Sequence, residues 1–92
     1  MSEPELHQLR AAMDAINERL VDVLHERARL CRRIAAWKRE NGQPAKDPVR
    51  EDAMLAALLR AAPDDGFGRD ELATILRQVF STSRALVERS AR

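Results

Sequence analysis

The chain has 92 residues, of which 16 are lysine or arginine and 15 are aspartate or glutamate, so its formal net charge is only +1. This length suits one small domain, expected to span residues 1–92, and a near-neutral charge gives no field that would draw nucleic acid or a membrane to it. One tryptophan, two phenylalanines and no tyrosine offer few surfaces on which bases could stack. We therefore expect no nucleic-acid partner and no membrane partner, and an anion would have to be bound by locally placed charges.

The cysteine content and the amino terminus bear on where the protein works. A single cysteine, Cys31, excludes a disulfide within the chain. No apolar run reaches the length of a membrane span, and the first residues lack the pattern of a secretory signal. These features predict a cytoplasmic protein.

The first predicted element is one long helix. Apolar residues recur at alternating steps of three and four over residues 6–37, and the only interruption of this series is Arg27. We call the apolar members of the series the apolar seam: Leu6, Leu9, Met13, Ile16, Leu20, Val23, Leu30, Ile34 and Trp37. No glycine or proline lies between Leu6 and Lys38 to break the helix.

The length of this helix predicts how the protein assembles. Ser2 or Pro4 can begin it, and Asn41 with Gly42 can end it, because glycine readily adopts the left-handed conformation that closes a helix. About 35 residues at 1.5 Å each give a helix on the order of 50 Å long. A compact domain of this size has a radius of gyration of only about 12 Å. We therefore expect the apolar seam to pack against a second copy of the chain in an intertwined, domain-swapped homodimer.

Two shorter helices follow. The second is expected to begin at Asp47, whose carboxylate can cap free N–H groups, with Pro48 at its first position. Its apolar face comprises Met54, Leu55, Leu58 and Leu59. After a turn over residues 63–68 comes a third helix, with an apolar side that comprises Leu72, Ile75, Leu76, Val79, Phe80, Leu86 and Val87. No segment has the period of a strand, so the predicted fold class is all-α.

Two cations on the first helix are candidates for binding an anion. Arg27 and Lys38 are eleven residues apart, which at about 100° per residue brings them to within roughly 20° of the same face. The small Cys31 and Ala35 lie between them and leave room for a ligand. Arginine can grip a carboxylate with two parallel hydrogen bonds, and lysine supplies a compact charge. The alternative is that Arg27 extends to solvent or pairs with a glutamate.

The remaining polar candidates are ambiguous when taken alone. Arg10 lies about 25 Å from Arg27 along the helix, so the two can share a small ligand only across a twofold axis. The run from Asp47 to Glu51, which includes Arg50, also suits a helix start for reasons of the helix dipole. Ser83 interrupts the apolar side of the third helix, and its hydroxyl can bond to the carbonyl four residues earlier.

Taken in order and spacing, these residues resemble the all-helical class of chorismate mutases, the type II family. The resemblance is carried by LRAAMDAINERLVDVLHERARLCRRIAAWK, then GQPAKDPVRED, then SRAL. It implies a swapped dimer of three-helix chains with two equivalent sites, each built from both protomers. By position, Arg10 matches an arginine lent across the dimer, Arg27 the arginine that grips a substrate carboxylate, and Lys38 the cation beside the ether oxygen.

The resemblance also implies roles for residues on the two shorter helices. Asp47, Arg50 and Glu51 match a set on the second helix in which the glutamate accepts a hydrogen bond from the ring hydroxyl of the substrate. Ser83 matches a serine near a substrate carboxylate. Val87 departs from the family pattern, because a glutamine or glutamate usually stands there and donates to the ether oxygen. Glu88 lies about 100° further round and could replace it only on an overwound or bulged helix.

The implied activity is that of an isomerase in aromatic amino acid biosynthesis, downstream of the shikimate pathway, which converts chorismate to prephenate in one concerted rearrangement. No nucleophile, cofactor or metal is expected, and the sequence offers no Ser–His–Asp set or glycine-rich phosphate loop. Three alternatives stay open, the first two of them enzymes of the same family fold and the third a protein of a different functional class. They are an isochorismate-pyruvate lyase, a 4-amino-4-deoxychorismate mutase, and a non-catalytic helical module that regulates a partner enzyme.

Overall fold

A computed structural model describes residues 1–90 as three helices. They are α1 (Glu3–Glu40), α2 (Pro48–Ala61) and α3 (Arg69–Ser90). No strand occurs within residues 1–90, so the predicted all-α class is confirmed. In the same part of the chain, every helix is too short or too polar to cross a bilayer.

The ends of α1 form where the sequence predicts. The Ser2 hydroxyl accepts a hydrogen bond from the N–H of Glu5 at 3.3 Å, which satisfies one of the free donors of the first turn. At the other end, Gly42 adopts a φ of 64°, the left-handed conformation that a side chain would strain. The 38 residues between these signals form an uninterrupted helix about 57 Å long.

The chain divides into two compact units, the first of which is Met1–Leu30. This unit is helical from Glu3 onward, and its first 26 residues are all exposed. The exposed fraction of its apolar side chains runs from 37% to 58% along the seam: Leu6, Leu9, Met13, Ile16, Leu20, Val23 and Leu30. The predicted seam is thus formed, and within the single chain it faces solvent.

The second unit begins at Cys31 and contains a core between α2 and α3. Leu55, Ala73 and Phe80 are buried at its centre, each with 8% or less of its surface exposed. Around them pack the partly buried side chains of Met54, Leu59, Leu76 and Val79. Burying a leucine or phenylalanine side chain stabilises the fold by about 1.5 to 3 kcal/mol, so this cluster holds α2 against α3.

Local hydrogen bonds set the starts of α2 and α3. The Asp47 carboxylate accepts from the N–H of Arg50 at 3.1 Å, and Pro48 occupies the first helical position. The Glu71 carboxylate accepts from the N–H of Gly68 at 2.7 Å. The predicted start of the second helix is therefore confirmed.

The apolar faces of α2 and α3 are wider than the contact between them. Leu58 is 45% exposed and Ile75 is 43% exposed, although the sequence places both on apolar faces. Each helix presents a stripe broader than 100°, and a single neighbour covers only part of such a stripe. Apolar surface thus remains uncovered in this unit of the single chain as well.

Candidate functional site

The predicted site residues are divided between the two units, and each group has its own surroundings. In the first unit, Arg10 is exposed on α1 beside Leu6 and His7, over an open surface. Arg27 is half-buried, whereas all 26 residues before it are exposed. A guanidinium held partly out of water keeps the planar set of donors that a carboxylate recognises.

In the second unit, Lys38 is held close to the loop that joins α1 to α2. Its ammonium group donates to the carbonyl oxygen of Ala45 at 3.4 Å, which leaves further donors available. The side chain is half-buried, while Arg39 next to it is exposed. Ala35 nearby on the same helix is buried. Lys38 therefore differs from the solvated cations around it in both exposure and contacts.

The segment from Asp47 to Glu51 lies at the start of α2, and its charged side chains differ in exposure and in the groups they contact. Asp47 and Arg50 are both exposed, and Asp47 is engaged as the helix cap. Glu51 lies one turn into the helix and is only 26% exposed. Its carboxylate pairs with the guanidinium of Arg84 on α3 through Oε1 and Nη1.

On α3, the structure gives Ser83 a local hydrogen bond. Its hydroxyl donates to the carbonyl oxygen of Val79 at 2.7 Å, as the sequence allowed. Val87, one turn later, is half-buried and has no polar group, while Glu88 is exposed. The regular α-helix over Arg69–Ser90 shows no bulge that would turn Glu88 toward the Val87 position.

Sequence reasoning missed Arg84, the residue that contacts Glu51. The two lie 33 positions apart, and no periodic pattern links an exposed arginine on α3 to a carboxylate on α2. A usable signal was the spacing to the core: Glu51 precedes Leu55 by four residues, and Arg84 follows Phe80 by four. Residues at that spacing share a helix face, so both point along the contact between α2 and α3.

The sequence is similar to a known protein family and to characterised proteins. The family described as chorismate mutase type II matches residues 9–88. A 4-amino-4-deoxychorismate mutase of Streptomyces venezuelae is 34% identical over 84 residues, which cover 91% of this chain and 81% of that protein. A bifunctional chorismate mutase/prephenate dehydratase of Aquifex aeolicus is 32% identical over 85 residues, 89% of this chain. The match spans only 24% of the length of this second relative.

A solved structure has a similar fold. Form II of the chorismate mutase of Thermus thermophilus superposes with a TM-score of 0.86 at 33% identity. The superposition covers 92% of this chain and 96% of that one. These similarities confirm the resemblance to the type II family that the sequence motifs indicated.

Proposed function

We propose that this chain, which belongs to the chorismate mutase type II family, is an isomerase that converts chorismate to prephenate. The match of the family over residues 9–88 carries the proposal, because it encloses every predicted site residue from Arg10 to Val87. The fold of the solved chorismate mutase supports it independently of any single residue.

The proposed reaction needs a shaped and charged site rather than a reactive side chain. The ether C–O bond breaks while a C–C bond forms, so no proton or leaving group passes to the protein. The site must hold a flexible dicarboxylate in its folded conformation and place positive charge where the ether oxygen gains negative charge. Arg27 would grip a carboxylate, and Lys38 would donate to the ether oxygen.

The partial burial of these two cations supports their roles. Arg27 and Lys38 are half-buried, whereas the other four cations of residues 27–39 are exposed: Arg29, Arg32, Arg33 and Arg39. A hydrogen bond from a charged donor is stronger where water is partly excluded. Charge on these side chains would therefore act on a ligand more strongly than charge on their solvated neighbours.

Residues of the two shorter helices would supply the remaining contacts to the substrate. Glu51 would accept from the ring hydroxyl, with Asp47 and Arg50 beside it at the start of α2, and Ser83 would lie near a carboxylate. Val87 contributes shape but no donor to the ether oxygen. We therefore expect turnover to depend on Lys38 more heavily than in a site with two donors at that oxygen.

We further propose that the protein acts as a domain-swapped homodimer, with Arg10 of each copy completing the site of the other. The exposed apolar seam of Met1–Leu30 supports this assembly, because an apolar face of this length is costly to leave in water. An exposed Arg10 beside that seam is free to reach a second chain. The contact between the two chains would then both bury the apolar seam of the first unit and bring Arg10 into the site of the other copy.

A second candidate is the mutase reaction on 4-amino-4-deoxychorismate. It is favoured by the relative of that name, which is 34% identical and is matched over 81% of its length. Chorismate carries a ring hydroxyl where 4-amino-4-deoxychorismate carries a ring amine. A glutamate such as Glu51 can accept a hydrogen bond from either group. The purified protein should be offered both compounds.

The name of the bifunctional relative bears on the fate of the product. It joins a chorismate mutase to a prephenate dehydratase, and this chain matches only 24% of that protein's length. We propose that prephenate made by this chain passes to an enzyme of aromatic biosynthesis. That enzyme would be either a separate partner protein or a further domain. The cytoplasmic location stays a prediction from the sequence.

The test is the loss of chorismate absorbance when the purified protein is added, compared between wild type and Lys38→Ala. Loss of a preorganised donor typically costs about 3 to 4 kcal/mol in the transition state, so kcat should fall by roughly 10² to 10³. Arg39→Ala is the matched control, since Arg39 is the next residue and is exposed. It should keep full turnover.

Circular dichroism of both variants distinguishes a loss of catalysis from a loss of folding. This control is needed because Lys38 also donates a hydrogen bond to Ala45 in the loop between α1 and α2. Helicity should be unchanged in each. If Lys38→Ala retains full turnover, the proposed role of Lys38 is wrong. If wild type leaves chorismate intact but still binds a partner enzyme, the protein is a regulatory module.

A further inference from the structure

The ion pair between Glu51 and Arg84 lies at one end of the contact between α2 and α3. Each residue is one helical turn beyond a core residue, Leu55 in one case and Phe80 in the other. The core therefore fixes the two backbones, and the side chains meet across a short gap. The side-chain exposures of 26% for Glu51 and 45% for Arg84 leave the pair partly screened by water.

This geometry leaves the Glu51 carboxylate able to bind a further group. Only Oε1 is bonded to the guanidinium, and a carboxylate has about four lone-pair sites on its two oxygens. The net charge at that position is nevertheless close to zero, because the cation lies in contact with the anion. Glu51 is thus an acceptor of hydrogen bonds beside a neutralising charge, rather than an isolated anion.

We propose that Arg84 is a specificity-determining residue that acts through Glu51, so that the site favours a substrate with a ring hydroxyl over one with a ring amine. The inference rests on the proposed function, in which Glu51 faces that ring substituent. Arg84 is a positioning residue in this account, since it contacts the carboxylate and not the reacting atoms.

The preference follows from the charge of the two substituents. An alkyl amine is mostly protonated near pH 7, so it approaches Glu51 as a cation, whereas a hydroxyl is a neutral donor. An isolated carboxylate attracts the cation strongly. With the Arg84 guanidinium beside it, much of that attraction is cancelled by repulsion between like charges. The hydroxyl keeps its hydrogen bond in either case, so the pair weakens binding of the amine alone.

The test compares kcat/KM for chorismate and for 4-amino-4-deoxychorismate in wild type, Arg84→Met and Arg84→Lys. Removing the charge should shift the ratio toward the amine by about tenfold, the effect of one partly screened charge at close range. Lysine restores a positive charge, so Arg84→Lys should stay within about threefold of the wild-type ratio. If the amine is not turned over, its inhibition constant against chorismate replaces kcat/KM.

Two further variants control for side effects of the substitution. Arg89→Met removes another exposed arginine of α3 and should leave the ratio unchanged. Arg84→Gln removes the charge but keeps a hydrogen-bond donor, and it should shift the ratio as Arg84→Met does. It serves as the second neutral variant if Arg84→Met does not fold. The ratio is informative because loss of a purely structural clamp would lower kcat/KM for both substrates alike.

The outcomes distinguish this inference from the proposed function. Suppose that wild type converts chorismate and that the ratio of kcat/KM between the two substrates is unchanged in Arg84→Met and Arg84→Gln. This result overturns the inference but leaves the proposed function intact. An equal shift in Arg84→Lys overturns it as well, since the charge would then not be the cause. If wild type binds and converts neither compound, the proposed function fails and this inference fails with it.

Discussion

The amino-terminal stretch of α1 and the α2–α3 pair differ in whether their apolar side chains are buried within the single chain. The stretch Met1–Leu30 keeps its apolar seam exposed along its whole length. The α2–α3 pair has a core of its own around Leu55 and Phe80. One region therefore has a buried core within the single chain, whereas the other exposes its apolar side chains there.

This difference shows that an amphipathic pattern does not say which surface it will meet. Both regions have apolar residues at helical spacing, and that spacing predicts all three helices. The first helix is too long for its neighbours to cover, whereas α2 has only 14 residues and α3 has 22. Length relative to the rest of the domain, rather than the pattern itself, is what led us to propose that the seam packs against a second chain while α2 and α3 form a core.

The largest expected effect comes from placing a charge on the seam. Leu20→Glu puts a carboxylate near the middle of Met1–Leu30, where we propose that a second chain packs. An unpaired charge cannot be buried there without a cost that exceeds the contribution of any single apolar contact. We expect light scattering to show loss of the dimer, and turnover of chorismate to disappear with it.

The control for that variant is Ala11→Glu. Ala11 precedes Leu20 by nine residues, which at about 100° per residue places it on the opposite side of the helix. It is exposed and carries the same added charge, so the dimer and turnover should persist. A wild-type protein with the mass of one chain would contradict the swapped assembly, whatever the variants do.

A smaller effect is expected in the region that has its own core. Leu55→Ala removes a side chain that is 8% exposed and should lower the free energy of unfolding by about 2 to 3 kcal/mol, through lost burial and a residual cavity. Val49→Ala, on the same helix at a residue that is 79% exposed, should change it by less than about 0.5 kcal/mol. Urea titration followed by circular dichroism measures both. Equal losses would mean that a second chain covers Val49.

Local signals made the helix boundaries predictable, while contacts between elements were not. Asp47 and Gly42 determine nearby backbone geometry through one cap and one left-handed residue, so sequence reasoning located both. The pairing of Glu51 with Arg84 depends on the register of α3 against α2, which the packing around Leu55 and Phe80 fixes. No period in the sequence encodes that register. The arrangement of Arg10, Arg27 and Lys38 around a substrate stays a prediction for the same reason.

The smallest expected effect is at the start of α2, where two roles of one carboxylate can be separated. Asp47 caps the helix by accepting from the N–H of Arg50, and the family resemblance also places it in the site. Asp47→Ala removes cap and charge and should lower the free energy of unfolding by about 1 kcal/mol, whereas Asp47→Asn keeps a good cap and should lower it by only a few tenths. Turnover measured on the same two proteins tests the other role: if Asp47 acts on the substrate through its charge, asparagine should reduce kcat/KM as much as alanine does. An asparagine variant with wild-type kcat/KM would show that the charge of Asp47 takes no part in turnover, and the measured loss of stability in the alanine variant would then be the effect of the helix cap.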